Sequence, residues 1–206
     1  MTLIALSASY GAGGSIVGPR VAERLDVPFV DRAIPAAVAE ELDVPLAEAL
    51  ERDESVGSAL ERVLKHFAPL SATYASAPTN EALLGGDLYR EATERVICEQ
   101  AREGRGVILG RACAVVLRDR PGVLRVRLDG PAERRIEQAM RVEGIDREEA
   151  KERLRRTDRA RDAYMRHFYG AGPQDPGLFD LTIDSTAVGL DTCVELIVLA
   201  AQARSA

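Results

Sequence analysis

Residues 8–15 form a glycine-dense run that ends in a hydroxyl residue, Ala8-Ser-Tyr-Gly-Ala-Gly-Gly-Ser15. Glycine lets a backbone approach an anion closely because it lacks Cβ and tolerates positive φ. Where such a run leads into a helix, the free amides and the positive end of the helix dipole favour phosphate. The run therefore predicts a phosphate-binding loop. The predicted binding residues are Gly11, Ala12, Gly13, Gly14 and Ser15, and the hydroxyl of Ser15 is also the predicted Mg²⁺ ligand.

This run matches the Walker A pattern G-x-x-x-x-G-K-[ST] only in part. Gly13 and Ser15 match, but Ala8 stands at the position of the first glycine and Gly14 at the position of the lysine. The lysine of that pattern contacts the outer phosphates, so its absence removes a cation from the predicted site. A tight turn that simply joins a strand to a helix is the alternative interpretation.

A second candidate for phosphate chemistry is an arginine cluster in a predicted helix, which includes Arg156, Arg159 and Arg161. Guanidinium groups bind two phosphate oxygens at once and stay charged near neutral pH. Arg156 and Arg159 are three residues apart and share a helix face, whereas Arg161 is offset. Asp158 between them could orient an arginine by a salt bridge. The alternative is a solvated charged helix whose arginines pair with Glu148, Glu149 and Glu152.

The elements that must position these residues alternate between strand-like and helical patterns. Residues 2–7 are a nearly continuous apolar run, as in strands buried on both faces, and residues 16–25 carry apolar residues at helical spacing. A strand, a glycine loop and a helix in this order are typical of an open parallel α/β sheet. We predict further strands at 27–30, 107–109, 123–128 and 178–183, and further helices at 33–42, 46–51, 55–67, 81–103, 132–142, 147–169 and 190–203.

Two polar residues directly follow predicted strands. Asp31 follows the strand at 27–30, and Arg111 follows the strand at 107–109 after one glycine. Ligands of open α/β sheets bind at the carboxyl ends of the strands, so both residues are candidates for binding. The alternatives are that Asp31 only caps the next helix and that Arg111 only caps a strand end.

Composition excludes several classes of function. The chain has 206 residues, a formal net charge of −6, 4% aromatic residues and no Trp. We therefore expect no binding to nucleic acid polymers or to anionic membranes. Three dispersed cysteines lack metal-ligand spacing, and no apolar run is long enough to span a bilayer. These features predict a cytoplasmic protein with reduced thiols, as either a monomer or a homodimer.

Taken together, the motifs resemble the cytidylate kinases, and more closely the cytidylate kinase-like branch of the P-loop kinases. The resemblance extends over nearly the whole chain. It is carried by the order of five segments, which are Ser7–Ser15, Phe29-Val-Asp31-Arg32, Val107-Ile-Leu-Gly-Arg111, Arg156-x-Asp-Arg159-x-Arg161 and Phe179–Thr186.

This resemblance implies a single three-layer α/β domain over residues 1–206, with about five parallel strands and helices on both faces. Residues 33–103 would form a helical insert that binds a monophosphate, and residues 145–176 a helical lid. The implied activity is phosphoryl transfer from ATP, with Mg²⁺, to CMP or dCMP. Arg32 and Arg111 would hold the acceptor phosphate, Asp31 the substrate or a Mg²⁺-bound water, and Arg156, Arg159 and Arg161 would close on the phosphates.

In the cytidylate kinase-like branch the Walker lysine is commonly absent, as it is here, whereas true cytidylate kinases carry a lysine at the place of Gly14. Another cation, such as Arg20 on the first helix or a lid arginine, would then have to supply the charge. Two alternatives stay open for this reason. One is a kinase of another small phosphorylated or hydroxyl acceptor, and the other is a nucleotide-binding protein with weak catalysis.

Overall fold

A computed structural model describes residues 2–31, 94–95, 97–172, 175 and 177–205. Arg32 and the helices predicted at 33–42, 46–51 and 55–67 lie outside these described residues. The helix predicted at 81–103 lies partly outside them, and residues 94–95 and 97–102 within it are helical. The predicted insert at 33–103 therefore stays largely a prediction.

Five parallel strands form one sheet, in the order β2-β3-β1-β4-β5. The first strand is central because it pairs with β3 on one side and with β4 on the other. Its residues are almost all buried, as expected for a strand covered on both faces. The strands are β1 (Leu3–Ala8), β2 (Phe29–Asp31), β3 (Gly106–Leu109), β4 (Val123–Asp129) and β5 (Leu181–Asp184).

Six named helices lie between and after these strands in the described part of the chain. They are α1 (Gly14–Leu25), α2 (Arg111–Val116), α3 (Ala132–Glu143), α4 (Arg147–Tyr169), α5 (Ser185–Val188) and α6 (Leu190–Ser205). The long helix α4 begins where the side chain of Asp146 accepts a hydrogen bond from the amide of Glu149, at 2.9 Å. It ends at Gly170, whose left-handed conformation closes the last turn.

Two apolar clusters cover the two faces of the sheet. The side chains of β1 alternate between them, because successive residues of a strand point to opposite faces. Ile4 and Leu6 join the cluster formed with α1 and α6, whereas Leu3 and Ala5 join the cluster formed with α2 and the end of α4. The predicted three-layer α/β architecture is confirmed.

Tyr164 lies in the second cluster and is fully buried. Its ring packs against those of Phe168 and Tyr169, with centroid distances of 4.8 Å and 6.0 Å. The aromatic end of α4 therefore belongs to the core that carries the sheet. This packing holds the arginine-rich middle of the same helix in a defined place relative to the strands.

The end of the chain departs from the predicted pattern in two places. The last strand begins at Leu181 and not at residue 178, because Asp180 turns its carboxylate towards the guanidinium and amide of Arg125, each at 2.8 Å. Leu178 is buried in the core without being part of the strand. In addition, the short helix α2 follows β3 at a position where the sequence pattern predicted no helix.

No helix in the described segments is both long and apolar enough to cross a membrane.

The three cysteines differ in exposure, which predicts different reactivity. Cys98 is exposed, while Cys113 and Cys193 are buried. Burial raises the pKa of Cys113 to about 12. At pH 8 we expect a maleimide to label Cys98 rapidly in the folded protein, and the other two cysteines only after unfolding, because the thiolate is the reactive form. Mass spectrometry of digests checks this. Rapid native labelling of Cys113 would contradict the packing of α2 against β1.

Candidate functional site

A cavity of about 170 Å³ lies at the carboxyl edge of the sheet. Its walls are the glycine loop after β1, the ends of β2 and β3, one face of α3 and a single arginine from α4. Among the residues that line this cavity are Gly13, Gly14, Ser15, Asp31, Gly110 and Arg161. Segments that are far apart in the chain therefore meet at one place.

Two glycines of the loop are required by its shape. Gly11 and Gly13 have φ values of +74° and +77°, which side chains rarely tolerate. Both are also closely packed. A Cβ on Gly11 would lie 2.3 Å from the carbonyl oxygen of Arg135, and a Cβ on Gly13 would lie 2.4 Å from Cδ2 of Leu190. The loop is thus enclosed by α3 on one side and by α6 on the other.

The loop ends in the first turn of α1, which begins at Gly14. The amides of Ile16 and Val17 both donate to the carbonyl of Gly13, at 3.0 Å and 2.9 Å. Gly14 and Ser15 hold the first positions of the helix, where amides have no carbonyl of an earlier turn to bind. Because both residues line the cavity, the start of the helix can offer these amides to an anion there.

Oxygen ligands for a cation are available on the same cavity. Ser15 is exposed and lines it together with Asp31. Among the described residues, no group of three or more acidic, histidine or cysteine side chains forms a metal site. Mg²⁺ keeps several waters and is commonly held by one or two protein oxygens together with substrate phosphates, and Ser15 and Asp31 offer protein oxygens of this kind. These residues therefore fit a Mg²⁺ ion that arrives with a nucleotide.

Tyr10 lies in the middle of the loop, and three of its polar groups form hydrogen bonds with residues of α3 and α4. Its amide donates to Oδ1 of Asp158 at 2.9 Å, and its carbonyl accepts from Nη1 of Arg135 at 2.8 Å. Its hydroxyl donates to Oε2 of Glu143, also at 2.9 Å. The position of the loop is thus tied to both α3 and α4.

Arg135 is the centre of this network. It is only 8% exposed, and its Nε donates to the carbonyl of Gly130 at 2.8 Å. Its Nη1 lies 2.6 Å from Oδ2 of Asp158. One guanidinium therefore joins the end of β4, the loop and α4. Charge-assisted bonds of this kind are strong when they are partly buried.

Sequence patterns did not single out Arg135 or its neighbour on the helix, Gln138. The amide nitrogen of Gln138 donates to the carbonyl of Gly11 at 2.9 Å. A signal was present, because Arg135 and Gln138 alternate with Ile136 and Ala139 on the buried face of α3. Polar residues that recur within an apolar helical stripe indicate a buried partner.

Of the three predicted arginines, only Arg161 reaches the cavity. Its Nη1 donates to the carbonyl of Ala8, at the end of β1, at 3.2 Å. Arg156 and Arg159 are exposed and do not line the cavity. Helical periodicity explains the difference, since Asp158 and Arg161 are three residues apart and share the face that meets the loop.

The alternative of a solvated charged helix is correct for other arginines of α4. Arg153 pairs with Glu149 at 2.5 Å, and Arg155 pairs with Glu152. All four side chains are well exposed, so these pairs contribute little to stability. The expectation that Asp158 orients an arginine is confirmed, although its partner Arg135 belongs to α3.

The residues predicted for the acceptor side have different outcomes. Asp31 ends β2 and lines the cavity. Arg111 begins α2 directly after Gly110, which also lines it, so the backbone places Arg111 at this edge of the sheet. Arg32 lies outside the described residues. The binding roles of Asp31, Arg32 and Arg111 remain predictions.

Arg20, one of the two candidates for the missing charge, is not among the residues that line the cavity. Its guanidinium pairs with the carboxylate of Asp191 on α6 at 2.6 Å, and both side chains are exposed. Asp184 caps α5 by accepting hydrogen bonds from the amides of Thr186 and Ala187.

Two residues of β4 form an ion pair at the end of that strand, beside the loop. Nη2 of Arg127 donates to Oδ2 of Asp129 at 2.5 Å. Burial works against the charge on Asp129, but a hydrogen bond from Ser9 and the charge of Arg127 hold its pKa below the ordinary value. This carboxylate therefore stays ionised next to the first residues of the loop.

The bond between Tyr10 and Glu143 predicts a pH dependence of stability. Partial burial and the hydrogen bond to Glu143 raise the pKa of Tyr10 from 10.0 to about 12. The folded state thus keeps a proton that the unfolded state loses near pH 10, so the contribution of the bond is complete below pH 10 and disappears towards pH 12. Urea midpoints of the wild type and Tyr10→Phe should differ at pH 8, and the difference should be clearly smaller at pH 11. An unchanged difference would contradict this bond.

Comparisons with known proteins agree with this geometry. The model of the cytidylate kinase-like family matches residues 3–187. The cytidylate kinase of Ignicoccus hospitalis is 26% identical over 201 residues, which are 96% of this chain and 97% of that protein.

Two solved structures are similar to the fold. An uncharacterized protein from Eubacterium ventriosum has a TM-score of 0.62 at 17% identity, covering 98% of this chain and 99% of that one. A gluconokinase from Sinorhizobium meliloti has a TM-score of 0.51 at 18% identity, covering 100% and 93%. The parallel sheet, the loop and these neighbours identify the fold of a P-loop kinase. Because the family model spans most of the sequence, this chain belongs to the cytidylate kinase-like family.

Proposed function

We propose that this protein transfers a phosphoryl group from ATP to CMP or dCMP. Its family and fold make it a kinase of a nucleotide or of another small molecule, and the choice of acceptor is our proposal. One observation carries it. A single cavity brings together a phosphate-binding loop, an arginine from α4 and the ends of β2 and β3, where the family resemblance expects the acceptor.

The loop would bind the outer phosphates of ATP. The amides of Gly14 and Ser15 provide donors, and the dipole of α1 favours negative charge at the same point. Transfer of a phosphoryl group spreads charge over its oxygens, so catalysis depends on cations and donors already held in position. Arg161 is the cation that the described residues place on the cavity wall.

Magnesium would be held by Ser15, with Asp31 on a water of its shell. When bound, the ion supplies positive charge that offsets the charge of the phosphates. Arg111 and Arg32 would hold the phosphate of the acceptor. Arg156 and Arg159 are exposed and do not line the cavity here, so contact between them and phosphate would require their side chains or α4 to move.

A second candidate function is nucleotide binding with little turnover. The specific observation that favours it is Gly14, which stands where the Walker A pattern has a lysine.

A coupled assay of ADP release separates these functions. The protein with ATP and Mg²⁺ is offered CMP, dCMP, UMP, AMP and GMP one at a time, and in a separate reaction a non-nucleotide extract fraction. Our proposal predicts ADP release that depends on CMP or dCMP and exceeds the rate with the other monophosphates by at least about tenfold, a difference of about 1.4 kcal/mol in transition-state binding. Release with only a non-nucleotide acceptor would contradict the proposed acceptor, and ATP binding without any turnover would favour the second candidate.

A further inference from the structure

The space that a Walker lysine would need at position 14 is already occupied. A Cβ built on Gly14 would lie 2.5 Å from Cβ of Ala8, a distance that real Cβ atoms essentially never show. Ala8 is itself the position where the Walker pattern has its first glycine. The two departures from the Walker pattern, at positions 8 and 14, are therefore sterically linked. A methyl group stands on β1 where the pattern has none, and no side chain stands on α1 where the pattern has lysine.

The strand end is rigid at this point, so the contact is not easily relieved. Ala8 is the last residue of β1 and pairs with Leu128 of the central sheet. Cδ1 of Leu109, the next nearest atom to the built Cβ, lies at 3.3 Å and belongs to a longer side chain that can shift. The methyl group of Ala8 is thus the main obstacle to any side chain at position 14.

A cation from another element lies beside this pair of residues. Nη1 of Arg161 donates to the carbonyl of Ala8 at 3.2 Å, and Arg161, Ala8 and Gly14 all line the same cavity. The face of α4 that carries Arg161 is held against the loop by Asp158, which binds both Tyr10 and Arg135. These contacts place the guanidinium of Arg161 beside the strand end.

We propose that Arg161 takes the role of the missing Walker lysine, and that Ala8 and Gly14 are a matched pair that makes this arrangement necessary. This inference rests on the proposed kinase function, because it assigns the source of positive charge for the phosphates of ATP. It makes a specific claim about the chain. A lysine at position 14 should cost clearly less stability when residue 8 is glycine than when residue 8 is alanine.

The steric half of the proposal is tested without any ligand. Thermal unfolding is measured for the wild type, Ala8→Gly, Gly14→Lys and the double variant Ala8→Gly/Gly14→Lys. We expect Gly14→Lys alone to lower Tm by about 3–10 °C. In the Ala8→Gly background the same substitution should lower Tm by clearly less, which a double-mutant cycle quantifies. Equal losses in both backgrounds would overturn the matched pair.

The electrostatic half is tested by calorimetric binding of ATP with Mg²⁺. Arg161→Ala should weaken binding by about tenfold or more, the scale of one lost charge-assisted contact. The triple variant Ala8→Gly/Gly14→Lys/Arg161→Ala has the formal charge of the wild type and should recover most of that loss. The matched control Ala8→Gly/Arg161→Ala lacks the lysine and should stay weak. A triple variant no better than this control would overturn the role of Arg161.

The assay with monophosphates keeps this inference distinct from the proposed function. If the wild type binds ATP and the triple variant restores binding, but no monophosphate is phosphorylated, the acceptor proposal fails and the role of Arg161 stands. If CMP is phosphorylated and Arg161→Ala is as active as the wild type, the inference fails and the function stands.

Discussion

Replacement of Gly11 by alanine is expected to abolish nucleotide binding and to lower the free energy of unfolding by about 2–4 kcal/mol. Two costs combine at this position. The backbone has φ of +74°, and the new Cβ would lie 2.3 Å from the carbonyl oxygen of Arg135. The loop can relieve this contact only by moving away from α3, which would also displace the amides that follow. Urea unfolding and calorimetry with ATP and Mg²⁺ measure the two effects.

Gly144 offers a matched control for this prediction. Its φ of +68° is close to that of Gly11, but a Cβ there would meet no atom within 4 Å. Gly144→Ala therefore isolates the cost of the backbone conformation, which we expect to be about 1–2 kcal/mol with nucleotide affinity unchanged. Equal effects of the two substitutions would show that the contact between the loop and α3 does not matter.

Replacement of Arg135 by methionine is the second substitution with a large expected effect. It leaves the carboxylate of Asp158 without its cation, and the carbonyls of Tyr10 and Gly130 without their donor. Removal of one partner from a buried ion pair typically costs about 3–5 kcal/mol. We expect urea unfolding to show a loss of that size in the free energy of unfolding. ATP binding should also be weaker, because the carbonyl of Tyr10 loses its hydrogen bond from Arg135.

The neighbouring residue Arg134 is a control for the loss of charge alone. Its side chain is half exposed and lies 3.5 Å from Asp184, so Arg134→Met should cost no more than about 0.5 kcal/mol. If Arg135→Met does not fold, the double variant Arg135→Met/Asp158→Asn tests the same pair. Asparagine can still accept from the amide of Tyr10 but carries no charge, so the double variant should be more stable than Arg135→Met. A strictly additive loss would contradict the ion pair.

Much of the fold follows from local sequence patterns. The strands β1 and β3 are short apolar runs, as expected in a sheet covered on both faces, and β4 alternates apolar residues with Arg125 and Arg127. The helices α3 and α4 carry long helical patterns. The start of β5 was misplaced because Leu178 is apolar and buried but belongs to a turn before the strand. Burial alone does not distinguish these two situations.

The site was predictable where backbone conformation determines it. The glycines of the loop indicate close approach and positive φ, and the structure shows both at Gly11 and Gly13. The arginines were harder to separate by sequence, because which of them faces the cavity depends on how α4 is rotated against the loop. That rotation is set by Asp158 and by the aromatic packing of Tyr164, which are contacts between distant segments.

The role of Arg135 also could not be predicted from local sequence patterns. Its position on a charged helix is typical of a surface residue, yet it is buried and joins three elements. Only the approach of the loop and α4, both remote in sequence, gives it that environment. Residues of this type are found from the structure, because the partners that make them important are not their neighbours in the chain.

The most direct test of this account is a titration of the ¹⁵N-labelled protein with Mg²⁺ and a nonhydrolysable ATP analogue, followed through assigned backbone amide signals. We predict that the amide signals of Gly11, Gly13, Gly14 and Ser15 shift together with one saturation curve, while those of Gly122 and Gly144 do not move. Saturable binding that leaves the four loop amides unchanged would contradict the assignment of this loop as the phosphate site.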